Sequence, residues 1–173
     1  MRTCAWGSRL VVMIGLAAAG PAAALDNDAI GSILERLNVQ ASGEPGHWRF
    51  DYGGATLTII TDARADRMRI VAPVTAGEEL SPDLAYRLLQ ANFDTALDAR
   101  YALARGVVWS TFIHPLGALT ERQLLSGIGQ VINLVSSFGT SYSSGELVFG
   151  GGDTGQRQRR RLIEELIERG SSI

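Results

Sequence analysis

From residue 27 onward the apolar positions switch between two rhythms. Ile30, Ile33, Leu34 and Leu37 recur at helical intervals, and Asp26-Asn27 offers an N-cap oxygen just before them. This spacing predicts a first amphipathic helix over residues 27–40, ended by Ser42-Gly43-Glu44-Pro45-Gly46. The period then falls to two. Trp48, Phe50 and Tyr52 alternate with Arg49 and Asp51, Leu57 and Ile59 alternate with Thr56 and Thr58, and Met68, Ile70 and Ala72 alternate with Arg67 and Arg69. With Gly53-Gly54 as a turn signal, that pattern predicts a three-strand antiparallel meander with one apolar face.

Ser81-Pro82-Asp83 reads as a helix start: a hydroxyl cap, a proline at the first helical position and an acid at the positive end. Leu84, Leu88 and Leu89 are expected to line one face, and the helix to end near Asn92-Phe93. Residues 98–104 and 107–113 form a hairpin around Arg105-Gly106. Thr120 and Gln123 predict a capping box, followed by Leu124, Ile128, Val131, Val135 and Phe138 as the stripe of a third helix. The order α-β-β-β-α-β-β-α defines an α+β fold, an antiparallel sheet with helices packed on it, over residues 25–140. There is no solenoid repeat. Residues 141–155 read as a Gly/Ser-rich linker, with Leu147-Val148-Phe149 as a short strand within it. Residues 156–173 form a terminal amphipathic helix or tail, with Leu162, Ile163, Leu166 and Ile167 on one side. An isolated helix of this length is marginal in water, so it must dock or stay partly disordered.

The first 24 residues change the picture. Arg2 and Arg9, the apolar run Leu10–Ala19 and the small residues Ala22-Ala23-Ala24 have the layout of a cleavable secretory signal. Cleavage after Ala24 leaves 149 of 173 residues and directs the protein to the periplasm or outside the cell. Cys4, the one cysteine, leaves with the signal, which excludes disulfides, thiolate chemistry and cysteine metal sites from the remainder. No lysine occurs, and losing Arg2 and Arg9 takes the formal charge from −2 to −4. An acidic balance argues against nucleic acid as the main partner and gives no general attraction to anionic lipid.

Little in the chain resembles a catalytic centre. His47 and His114 lie on different predicted strands with no metal-ligand spacing, and no Gly-x-Ser-x-Gly elbow occurs. A hydrolase using His114 would need an oriented carboxylate that no motif supplies. Glu78-Glu79 precedes a helix start and is explained by solvation and the helix dipole. Gly150-Gly151-Gly152-Asp153-Thr154-Gly155 matches G-x-G-x-x-G literally, but the sequence stops at Ile173 without the second strand and acid of a dinucleotide fold. No cofactor and no metal are expected. Arg157, Arg159, Arg160 and Arg161 form a basic cluster that would suit an anion or a lipid surface. Opposite-charge pairs Arg160–Glu164 and Arg161–Glu165 at i,i+4 explain it without a ligand.

The hairpin carries the functional expectation. A two-residue turn pairs Ala104 with Val107, Leu103 with Val108 and Ala102 with Trp109. One face then shows Ala99, Tyr101, Leu103, Val108 and Phe112; the other shows Ala102, Ala104, Val107, Trp109 and Ile113, with Arg100 at its edge. Two apolar faces imply a second cover: another helix of the chain, a second copy, or a bound polypeptide. Trp109, Val107, Ile113, Ala102, Arg100 and Phe93 are the expected partner-binding residues.

The segment from Arg67 to Val135, with its strand ending at Pro73-Val74, its helix closing on Leu88-Leu89-Gln90-Ala91-Asn92-Phe93 and Trp109 after Gly106, resembles the YbjN family of bacterial sensory transduction regulators. That family shares the fold of the type III secretion (Tir) chaperones. The resemblance covers about residues 27–139. It implies an α+β sandwich, often dimeric, without catalytic residues, that binds polypeptides or regulates. Secretion chaperones work in the cytoplasm; the signal segment favours an envelope-resident relative.

Overall fold

The structure, a computed structural model, describes residues 24–94, 96–139 and 153–171. The signal segment up to residue 23 and most of the Gly/Ser-rich stretch lie outside the described residues. Helix α1 spans Asn27–Arg36, and the Asp26 side chain caps it by accepting from the Ala29 N–H at 2.8 Å. It is shorter than the expected 27–40, because Leu37 closes the last turn and Asn38 takes a left-handed φ of 55°. The loop expected at residues 42–46 contains a short strand, β1 (Ser42–Glu44), paired with β2 (His47–Tyr52). Strands β3 (Ala55–Asp62) and β4 (Arg67–Ala76) complete the meander. β4 runs past the expected end at Pro73-Val74 through a register shift between Pro73 and Thr75.

Helix α2 covers Pro82–Asp94, and the Ser81 hydroxyl accepts from the Leu84 N–H at 3.2 Å. Then β5 (Arg100–Ala104) and β6 (Val107–His114) form the hairpin in the expected register. Arg105 and Gly106 both have positive φ, 52° and 71°, the turn geometry that matches strand twist. Helix α3 (Glu121–Ser137) opens with the expected capping box at Thr120 and Gln123. Helix α4 spans Asp153–Ser171. It begins three residues before the expected boundary, inside the G-x-G-x-x-G match, so the arginine cluster sits beyond the first turn.

The six strands form one sheet in the order β1-β2-β3-β4-β6-β5, antiparallel throughout. Side-chain alternation makes it one-sided. Trp48, Phe50, Leu57, Ile59, Met68, Ile70, Val108 and Phe112 are buried, while their neighbours in sequence are half or fully exposed. Helix α3 lies across β3 to β6 on the buried face, and α4 packs on α3 and α1 beyond it.

Two glycines explain how α3 fits between layers. A Cβ at Gly127 would stand 2.7 Å from Phe112 Cδ1, so the helix presses on the sheet there. A Cβ at Gly129 would stand 2.9 Å from Ile163 Cγ1 and 3.5 Å from the Ile163 Cα, so α4 approaches on the other side. Leu125, Gly129 and Ile132 are therefore buried as well as Leu124, Ile128 and Val131 of the expected stripe, while Val135 is half-buried and Phe138 is the half-buried C-cap beyond the helix. The terminal helix does dock. Leu166 is fully buried, and Arg36 donates from Nε to the Gly170 carbonyl at 2.6 Å while its Nη2 meets Glu121 at 2.7 Å.

Candidate functional site

Helix α2 reaches the sheet at its β5 edge, and one side chain makes the join. Asn92 accepts from the Tyr101 N–H through Oδ1 at 2.7 Å and donates to the Tyr101 carbonyl through Nδ2 at 3.1 Å. The amide thus reproduces the two bonds a neighbouring strand would make. Leu88 and Ala91 on the same helix are buried, and half-buried Leu84 packs against the core beside them. Tyr101 is fixed from the other side too: its hydroxyl donates to the Leu134 carbonyl at 2.6 Å, and its ring meets Phe138 edge-on at 6.3 Å.

With that face anchored, the opposite face of α2 points outward. Tyr86, Leu89 and Phe93, at i, i+3 and i+7, are 64%, 66% and 79% exposed. Leu97 and Leu103 add exposed apolar surface just beyond the helix and on β5. Two expectations are corrected here. Leu89 does not join Leu84 and Leu88, because it lies a third of a turn round from Leu88 and past the packed face. Leu103 does not share the burial of Ala99, Tyr101, Val108 and Phe112, because it sits at the tip of the hairpin by Gly77 and the turn. Phe93, one of the expected partner-binding residues, is the most exposed of these apolar side chains; Tyr86, Leu89, Leu97 and Leu103 were not singled out for this surface. The signal for them was present, since α2 carries apolar residues on two opposite faces.

The outer face of the hairpin is less apolar than its sequence suggests. Ala102, Val107 and Trp109 are half-buried, Ile113 is exposed, and Thr111 and exposed Arg100 lie among them. The Trp109 indole donates from Nε1 to the Ala104 carbonyl at 3.0 Å. Arg100 turns back on its own chain, donating from Nη1 to the Leu97 and Ala99 carbonyls. No described element covers this face: α4 lies on the helical side, against α3 and α1.

The remaining candidates stay apart. His47 is exposed on β2, and His114 is half-buried at the end of β6, its ring stacked on Phe112 at 6.0 Å and its Nδ1 2.8 Å from the Pro115 carbonyl. Two clefts, one between the start of α1 and Asp66, the other beside Arg49 and Asp51, take in neither histidine. Among the described residues no cluster of His, Cys, Asp or Glu could hold a metal, and no helix is long and apolar enough to cross a membrane. Arg157, Arg160 and Arg161 are exposed on α4, and the Arg159 side chain lies outside the description. The expected pairs Arg160–Glu164 and Arg161–Glu165 do not form: solvent competes well at exposed positions, and the Arg-first order is the weaker one.

No family model matches the chain, and no curated protein matches it. Two solved structures are similar. One is a chain of the HopA1–SchA chaperone–effector complex, at 12% identity, covering 61% of this chain and 86% of that one with a TM-score of 0.49. The other is a chain of the ExsC–ExsE complex, at 13% identity, covering 70% of this chain and all of that one with a TM-score of 0.54. At such identities the second likeness establishes a shared fold, consistent with the secretion-chaperone architecture.

Proposed function

We propose that the chain is an exported, non-enzymatic polypeptide-binding module, chaperone-like or regulatory, related to the YbjN group. The observation that carries this reading is the exposed stripe Tyr86, Leu89 and Phe93, backed by a helix face that is itself firmly anchored. Large apolar side chains set at one-helix-face spacing on a rigid element fit a protein partner better than solvent. The shared fold with a member of the two-protein ExsC–ExsE complex supports the same direction. The outer hairpin face, with Trp109, Val107, Ala102 and Ile113, extends the surface, and a second copy of the chain is one occupant it would accept. Export rests on the layout of residues 1–24.

The test is association of wild type and a Leu89→Asp/Phe93→Asp variant with polypeptides crosslinked and captured from the periplasm. Both positions are exposed, so the variant should fold. Loss of capture and of any self-association supports the reading; unchanged capture and unchanged sedimentation refute it. Exposed Arg160 and Arg161 give a second reading, an anionic-surface contact, some support. Co-sedimentation with anionic liposomes, with and without residues 156–173, separates the two.

A further inference from the structure

A sheet in a polypeptide-binding protein offers two ways to hold a partner: along a free strand edge, by backbone pairing, or on a side-chain surface. The backbone hydrogen bonds decide between them here. β5 is the edge strand, and its residues alternate between pairing with β6 and pointing outward. The backbone N–H and carbonyl of Tyr101 point away from β6, as do those of Ala99 before it and Leu103 after it. All but one of these positions are already occupied. The Ala99 N–H donates to Gln130 Oε1 at 3.0 Å, and its carbonyl accepts from Arg100 Nη1 at 2.8 Å. Tyr101 has both groups taken by Asn92. Leu103 alone has no such partner among the described residues. The opposite edge, β1, is three residues long, too short to template a partner strand.

We infer that Asn92 is a strand surrogate that closes the β5 edge, so that this protein takes its partners by side-chain packing and excludes strand addition. A planar amide carries one donor and one acceptor group at the spacing of a peptide unit, so it can satisfy a residue of an edge strand from a helix. Because the same helix presents Tyr86, Leu89 and Phe93 on its far side, sealing the edge and displaying the stripe are two faces of one element. A strand could pair at Tyr101 only by displacing Asn92, which would pull α2 away from β5. Asn92 is thus a specificity-determining residue, acting on which class of polypeptide can bind. The inference rests on the proposed function only in taking the ligand to be a polypeptide.

The test uses a synthetic peptide with the sequence of residues 98–104 as a strand probe, offered to the full chain and to Asn92→Ala. Wild type should not bind the peptide, and the Tyr101 amide should be protected from hydrogen exchange. Asn92→Ala should bind at least about tenfold more tightly than wild type, with an intermolecular β band in the infrared, and its free Tyr101 amide should exchange about tenfold faster, a change equivalent to roughly 1.4 kcal/mol. Wild type pairing with the peptide, or a folded Asn92→Ala that binds it no better, overturns the inference. If near-ultraviolet circular dichroism shows Asn92→Ala unfolded, Asn92→Asp decides instead. It keeps the acceptor for the Tyr101 N–H but loses the donor, and it should bind the probe more tightly than wild type; binding equal to wild type overturns the inference. A failure here with stripe variants still losing capture removes the edge argument and leaves the binding function standing.

Discussion

Substituting Leu166 by alanine separates a docked helix from an integral one. Among the described side chains of α4, Leu166 is fully buried, while Leu162, Ile163 and Ile167 are only half-buried. Leucine-to-alanine changes at such sites cost about 2–5 kcal/mol. A value of about 3 kcal/mol raises the undocked population roughly a hundredfold. The cost has a ceiling, however. α4 reaches the rest of the molecule through α3 and α1, and once the penalty exceeds its docking free energy the helix detaches while the sheet survives. Hydrogen exchange read by mass spectrometry measures this directly. Peptides covering α4 should lose protection by about two orders of magnitude, with β4 and β6 unchanged. Parallel loss of protection in β4 and β6 would show that α4 belongs to the cooperative core, and the account of a separately docked cover would be wrong. Unchanged protection everywhere would mean Leu166 does not anchor the helix.

Three further outcomes follow from single side chains. Ser110 is fully buried with no hydrogen-bond partner for its hydroxyl among the described residues, so Ser110→Ala should be neutral or stabilise by about 1 kcal/mol in urea unfolding. Gln130 accepts the Asp98 and Ala99 N–H groups at 2.8 and 3.0 Å; Gln130→Leu strands both and should lower unfolding free energy by about 1–3 kcal/mol for each that stays dry. Gly106 has open space where a Cβ would go but a φ of 71°, so Gly106→Val should cost about 1–2 kcal/mol through backbone conformation, seen as a lower midpoint with an unchanged urea slope.

Much of the fold was legible because its signals are local. The period-two runs at Trp48–Tyr52 and Met68–Ala72, the Ser81-Pro82-Asp83 start, the Thr120–Gln123 box and the Arg105-Gly106 turn each act within a few residues, and each stands where the pattern put it. β1 was not legible, because three exposed residues around a glycine carry no alternation to read. The surface was only partly legible. Leu84, Leu88 and Leu89 look alike in sequence, and which of them is buried depends on where α2 meets β5, a relation fixed by Asn92 and Tyr101 across the intervening loop. Likewise Gly127 and Gly129 read as weak points in a helix until two layers are placed on either side of them. Apolar composition on both hairpin faces pointed to a cover over Trp109, yet the most exposed apolar side chains lie on the helix.

Site-specific photocrosslinking tests the central claim most directly. A photoreactive residue is placed at Leu89, and a control at Arg49 on β2, separated from β5 by three strands of the sheet, both exposed in the single chain. A polypeptide adduct, to a client or to a second copy, is expected from position 89 and none from position 49. Adducts from position 49 alone, or none from position 89 in the compartment where the protein resides, would contradict it.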